Sequence, residues 1–211
     1  MRYTVIFCER RLYSRKMTEK RPLHILTPAE VRQLIAQCST RAPTGVRDAA
    51  LIAVLYRGGL RLSEALALSA RDLNRERGTL RVYRGKGHKP RTVDIDATAF
   101  ALIDRWRAKK AEHGLDPQTT PLFCTLRGGA IASSSQIRDM LKRRAKKAGI
   151  DKRVHPHGLR HTHATELIAE GLPLNALQKQ LGHSSLATTS IYVDHLGAGE
   201  VVEIGRHRAA W

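Results

Sequence analysis

Aromatic residues make up only 5% of this 211-residue chain, and cysteine occurs three times. So few rings leave little material for the base-stacking platforms on which RNA-binding sheets and single-strand grooves depend. Cys8, Cys38 and Cys124 are widely separated and odd in number, which gives neither a disulfide framework nor a zinc spacing and fits a reducing, cytoplasmic setting. Long apolar runs are also missing. The most continuous one, Ala49 to Tyr56, is far shorter than the ~20 residues a membrane helix needs. The opening residues hold only a short apolar patch and no small-residue cleavage site, which argues against a secretory signal.

Acidic residues are scarce relative to basic ones: 19 Asp and Glu face 37 Lys and Arg, giving a formal net charge of +18, with ten histidines besides. A field of that size attracts polyanions. Nucleic acid is the leading partner, and a ribosomal or anionic-membrane surface is the alternative. The lack of aromatics moves duplex DNA ahead. With 42% apolar and 27% charged residues the chain is globular, and its length suits one large domain or an ordinary domain with a small appendage.

Residues 1–24 lack periodicity and are dense in Arg and Lys, so a basic arm with little fixed structure is expected there, and Met17 is an alternative start. Regular organisation begins where Thr27 can cap a helix, Pro28 suits its first position and Glu30 completes a capping box. Val31, Leu34, Ile35 and Cys38 then recur at helical spacing. A second helix is expected from about Thr44 to Arg57, apolar enough to be central to the core and stopped by Gly58 and Gly59. A short third helix runs from Ser63 through Leu68. Alternation over 79–84 and 91–95 around a Gly-Lys-Gly tip reads as a β-hairpin. Helices follow from Asp96 to Glu112, from Ser133 to Ala148, and near 158–170, 173–181 and 185–196. The expected fold class is mainly α with a small antiparallel β-sheet (α+β), a hairpin or three strands. Alternating βα units and nucleotide-binding glycine motifs are both missing, which disfavours ATP and NAD.

Several residues are not explained by a core. Arg160 and His157 fall on or beside the apolar stripe of Ala164, Leu167 and Ile168, where a guanidinium is costly unless a carboxylate or phosphate meets it. An internal salt bridge, for example with Glu64, is the competing explanation. His183 sits in a turn between two helices, where a surface or capping role is the more usual one for a lone histidine, and Tyr192 lies on a polar helical face with Thr188 and His195. Arg61 follows a double glycine at a break that can project it outward, and Lys86 is flanked by glycines that permit close approach; each also reads as a solvated side chain. Together, two arginines, a lysine, two histidines and a tyrosine suit phosphoryl transfer from DNA to a hydroxyl. Arginine forks match phosphate oxygens and hold the extra charge of the transition state, a lysine can protonate a leaving oxygen, and a tyrosine beside positive charge becomes a nucleophile.

The motifs GLRLSEAL around Arg61, GKGHKPR around Lys86, HPHGLRHTHATEL with His157 and Arg160, LGHSS with His183 and TTSIYV with Tyr192 stand in an order that resembles the tyrosine recombinases, the lambda-integrase or phage integrase family. His157 and His183 are 26 residues apart, and His183 and Tyr192 nine, separations that look typical of that family. The resemblance covers about Leu26 to His195 and implies the tyrosine recombinase catalytic-domain fold. It implies that Arg61 and Arg160 clamp the scissile phosphate with His183 as a further donor, and that His157 assists as proton acceptor or positioning group. Lys86 would be the general acid, Tyr192 the nucleophile forming a 3′-phosphotyrosyl link, and Glu64 a supporting residue that orients Arg61. No cofactor or metal is implied.

The family pattern further implies double-stranded DNA as partner, a homotetramer on two DNA sites, accessory DNA-bending proteins and no membrane. It divides the chain into the arm (1–24), a catalytic domain (25–196) and a tail (197–211) whose Val201, Val202 and Ile204 suit docking on a neighbouring protomer. Most members carry a helical core-binding domain before the catalytic one. Here at most about 25 residues precede it, so a short-form recombinase is expected, with a truncated or dissected chain as the alternative. A catalytically inactive, integrase-like DNA-binding protein is the competing function, and a topoisomerase of the same chemistry is a close relative. A metal hydrolase using His155, His157, His161 and His163 is disfavoured, because no Glu lies between His157 and His161. His161 and His163 are expected on the exposed side or as donors behind the site, and His155 in an ordinary loop.

Overall fold

The computed structural model describes residues 25–83, 90–131 and 133–182. The arm (1–24), Lys86, His183, Tyr192, the helix expected near 185–196 and the tail (197–211) lie outside the described residues.

The second helix organises everything else. After α1 (Pro28–Ala36), α2 (Pro43–Arg57) is buried almost all round, from Val46 through Tyr56. A helix apolar on every face must be sheathed by other elements, and α4 (Ala97–Glu112) and α6 (Pro156–Ala169) pack against it. Leu51, Ile52, Val54 and Leu55 are fully buried, each contributing about 1.5–3 kcal/mol by leaving water. The capping box at Thr27 and Glu30 forms as the sequence indicates, with both reciprocal hydrogen bonds.

Between α2 and α4 come the short α3 (Leu62–Leu66), one 3₁₀ turn (Ala70–Asp72) and a three-stranded antiparallel sheet of β1 (Leu73–Asn74), β2 (Thr79–Val82) and β3 (Arg91–Asp94) in sequence order. Leu80 pairs with Val93, and Val82 with Arg91. Leu80, Val82 and Val93 point into the core. The strands are shorter than the expected 79–84 and 91–95, and α3 stops at Leu66 rather than Leu68 because Ala67 closes it. The added strand β1 is only two residues long, below the length at which alternation can be read.

Asp96 caps α4, its carboxylate accepting from the Ala99 N–H, and Ser133 caps α5 (Ser134–Lys147). Asp48 of α2 is buried between Arg47 and Arg144, and Arg144 also donates to the Gln37 carbonyl, so α5 is tied to α2 and to the end of α1. Tyr56 donates to the Glu166 carboxylate at 2.7 and 2.8 Å, joining the end of α2 to α6. The last described helix, α7 (Leu174–Leu181), is held on α6 by a separate apolar cluster of Ala164, Ile168, Leu177 and Leu181. No helix among the described residues is long and apolar enough to cross a membrane.

Candidate functional site

The site starts at the double glycine. Gly58 closes α2 with right-handed backbone, and Gly59 turns the chain with φ +57°. A Cβ on Gly59 would lie 2.3 Å from His163 Cδ2, so only glycine lets this turn sit against α6. The Gly59 carbonyl accepts a hydrogen bond from Arg160 Nη1 at 2.8 Å. Two residues on, Arg61 enters α3 with its side chain still 37% exposed, and Glu64 follows one turn later, buried to 3%.

Glu64 is the hub. Its Oε1 accepts from Arg61 Nη1 and Arg91 Nη1, both at 2.9 Å; its Oε2 accepts from the Arg61 backbone N–H and Arg91 Nη2, both at 2.8 Å. Four donors saturate the lone pairs of a carboxylate. Arg160 Nη1 stands 3.8 Å from Oε2, and its residue is 1% exposed. Burial by itself raises the Glu64 pKa, but the hydrogen bonds and charges of Arg91 and Arg61 outweigh it, and the carboxyl is held below its ordinary range. It is therefore ionised at neutral pH, and three guanidiniums face this one carboxylate. Positive charge is left over, which is what an arriving phosphate needs.

The same three arginines grip the end of α7. Arg91 Nε donates to the Gln180 carbonyl at 2.8 Å, Arg160 Nη2 to Leu181 at 2.7 Å, and Arg61 Nη2 to Gly182 at 3.2 Å. The last carbonyls of a helix have no partner within it and carry the negative end of its dipole, so cations are favoured there. Gly182 ends the helix in the left-handed region at φ +65°, the usual glycine cap. His183 is the next residue in the chain.

His157 is exposed on the first turn of α6, its ring in edge contact with His161 at 4.0 Å between centroids. Crowding by the surrounding protein, then the positive charges of Arg160 and Arg61, lower its pKa, so it is neutral at pH 7 and has a lone pair with which to accept a proton. His155 is not an ordinary loop residue: it caps α6, its Nδ1 accepting from the Gly158 N–H at 3.1 Å. His161 and His163 are buried, correcting the expectation of an exposed side. His163 is enclosed because the Gly59 turn closes over it. Burial, then Arg57 and Arg160, pull the His163 pKa down to about 4. Among the described residues no group of three or more His, Cys, Asp or Glu side chains is placed to hold a metal ion.

Of the residues singled out in the sequence, Arg61, Glu64 and Arg160 meet in one cluster, and His157 lies within reach of the charges of two of them. Lys86, His183 and Tyr192 lie outside the described residues. Arg91, Gly59 and the α7 carbonyls were missed. Arg91 had a legible signal, since it shares the strand phase of the buried Val93 and Ile95, and a charge in phase with core positions needs a partner.

The model of the phage integrase family matches residues 24–198. Over 176 residues the chain is 40% identical to tyrosine recombinase XerD of Xanthomonas axonopodis pv. citri (strain 306), an alignment covering 79% of this chain and 57% of that protein. It spans little more than half the length of such curated relatives. The crystal structure of XerA recombinase is similar with a TM-score of 0.75 and 31% identity, over 89% of this chain and 66% of that one. XerH site-specific recombinase bound to its difH substrate, a pre-cleavage complex, gives a TM-score of 0.69 and 28% identity, over 86% of this chain and 53% of that one.

Proposed function

The chain belongs to the phage integrase family, the tyrosine recombinases, and from that membership we propose that it is a site-specific DNA recombinase that cuts and rejoins duplex DNA through a 3′-phosphotyrosyl intermediate. The observation that carries this reading is the convergence of Arg61, Arg91 and Arg160 on the single buried Glu64 at the end of α7, one residue before His183. Arg61 and Arg160 clamp the scissile phosphate, their forks matching its oxygens and their charge growing in value as a pentacoordinate transition state forms. His183 donates a further hydrogen bond to it. His157, neutral at working pH, accepts or positions a proton. Tyr192 attacks phosphorus, the bond to the 5′ oxygen breaks, and Lys86 protonates that leaving oxygen. A 5′ hydroxyl from another strand then attacks the phosphotyrosyl link, so the bond energy is kept and no ATP is consumed.

Its substrate is double-stranded DNA, which the XerH complex with difH supports by analogy, and the net charge of +18 suits that partner. Four copies acting on two DNA sites, accessory DNA-bending proteins and a cytoplasmic location complete the proposal. The division into an arm (1–24), a catalytic domain (25–196) and a tail (197–211) that docks on a neighbouring protomer is part of the same reading.

The test is incubation of the full chain with a nicked duplex carrying the ends of the genetic element that encodes it, so that the short cleaved strand diffuses away. A denaturing gel should show a strand retained on the protein, lost in Tyr192→Phe while DNA affinity stays within about threefold, since one phenolic oxygen contributes little to a grip dominated by phosphate contacts. Cleavage that survives Tyr192→Phe removes Tyr192 from the mechanism.

A further inference from the structure

Arg91 and Arg61 differ in how their guanidiniums are used. All three nitrogens of Arg91 are engaged inside the protein: Nη1 and Nη2 grip both Glu64 oxygens as a parallel fork, and Nε holds the Gln180 carbonyl. Its side chain is 11% exposed, against 37% for Arg61. A fork-to-fork pair of this kind is the strongest arrangement an arginine and a carboxylate can adopt. Arg61, by contrast, gives Glu64 one side-chain hydrogen bond and leaves much of its surface to solvent.

The consequence is electrostatic. Glu64 is ionised and almost completely buried beside Arg160. Without a dedicated partner, its charge would be balanced by Arg61 and Arg160, the two cations that a phosphate must also use. We propose that Arg91 is a positioning residue that neutralises Glu64 and so reserves the charge of Arg61 and Arg160, and the solvent-facing surface of Arg61, for the substrate phosphate. Arg91 touches no reacting atom; it acts through Glu64 and through the end of α7. This rests on the function proposed above for the phosphate clamp, and deepens it.

A physical reason for building the site this way follows from the geometry. A carboxylate aimed at Arg61 fixes the rotamer of a long side chain, but the same negative charge repels phosphate. Pairing that carboxylate bidentately with a third arginine keeps its orienting hydrogen bonds and cancels its repulsion. Arg91 opens β3 and Gln180 lies at the end of α7, so the same side chain also joins the strand to the helix that leads to His183. Arg91→Lys would keep the charge, but a point cation cannot reach both Glu64 oxygens and the Gln180 carbonyl together.

The experiment uses the full chain as wild type, Arg91→Met, Arg91→Lys, Glu64→Gln and Arg91→Met/Glu64→Gln, with two readouts. The first is binding of inorganic phosphate, followed by the Nε resonances of Arg61 and Arg160 in nitrogen-15 spectra. The second is the single-turnover cleavage rate on the nicked duplex, with DNA affinity measured separately. Arg91→Met should weaken phosphate binding about tenfold, the scale expected for one charge removed from a half-buried cluster. Its cleavage rate should fall at least as much while DNA affinity changes less than threefold. Arg91→Lys should lie between wild type and Arg91→Met in both readouts. Removing the Glu64 charge in the same chain should restore phosphate binding to within about threefold of wild type, a coupling that a merely structural residue would not show. The proposal is overturned if phosphate leaves both resonances of the wild type unmoved, if Arg91→Met binds phosphate as wild type does, or if the double variant binds no better than Arg91→Met. Wild-type chain that shows the phosphate pattern and never cleaves DNA overturns the recombinase reading and leaves the role of Arg91 standing.

Discussion

Replacing Glu64 with leucine removes the one negative charge around which three arginines are arranged. The four hydrogen bonds that end on its carboxylate are lost, and Arg91 is left with a guanidinium 11% exposed facing an apolar group. Taking one partner from a buried ion pair costs about 3–5 kcal/mol. For a chain of this size each kcal/mol lowers the melting temperature by about 2–4 °C, so Glu64→Leu should melt roughly 6–20 °C below wild type at pH 7. Glu64→Gln keeps an acceptor and the side-chain shape and should lose clearly less. The pH dependence supplies a second check. The folded-state pKa of Glu64 is lowered, so its contribution is fully present above the unfolded carboxyl value of about 4.3 and is lost as pH falls through the folded value. The gap between wild type and Glu64→Leu, read by circular dichroism melts, should therefore narrow as pH is taken below about 4. A loss under about 2 °C at pH 7, or a gap as wide at pH 3 as at pH 7, would refute the placing of Glu64 as a buried, ionised hub.

Gly59→Ala forces a left-handed backbone on alanine, costing about 1–2 kcal/mol, and drives a methyl into His163, adding about 1–3 kcal/mol of overpacking; in a His163→Ala background the second part should vanish, and equal losses in both backgrounds in urea melts would show that the two residues do not touch. His163 has a folded-state pKa pulled down to about 4, so protons bind the unfolded chain first and stability falls as pH drops from about 6.5 toward 4. Wild type should lose about 2 kcal/mol more than His163→Phe between pH 7 and pH 5, and parallel urea curves for the two proteins at both pH values would contradict a buried neutral ring.

The described helices were legible because their signals are local. Thr27 and Glu30, Asp96 and Ser133 mark starts that the chain itself satisfies, and α2 declares its burial by being apolar on every face. The site was legible as residue types and hidden as geometry. Arg160 illustrates the difference: the sequence set a salt bridge with Glu64 against a phosphate clamp as alternatives, yet Arg160 stands 3.8 Å from Glu64 and also holds the Gly59 and Leu181 carbonyls. The buried ion pair is present and the proposed clamp would draw on the same side chain, so Arg160→Ala should lower the melting temperature under either reading. The backbone acceptors at Gln180, Leu181 and Gly182 carry no sequence signature at all, because any residue supplies a carbonyl. His163 looked exposed on α6 because the element that covers it comes from the distant Gly59 turn, a tertiary contact that helical periodicity does not encode.

The most direct measurement is the chemical identity of a trapped adduct. Full-length protein caught on the nicked duplex is digested with protease and nuclease, and the linked peptide is sequenced by mass spectrometry. The expected product is a nucleotide joined through its 3′ phosphate to Tyr192, with a free 5′ hydroxyl on the released strand. A strand carried by another side chain, a 5′ linkage, or a hydrolysed break with no protein attached would contradict the proposed chemistry.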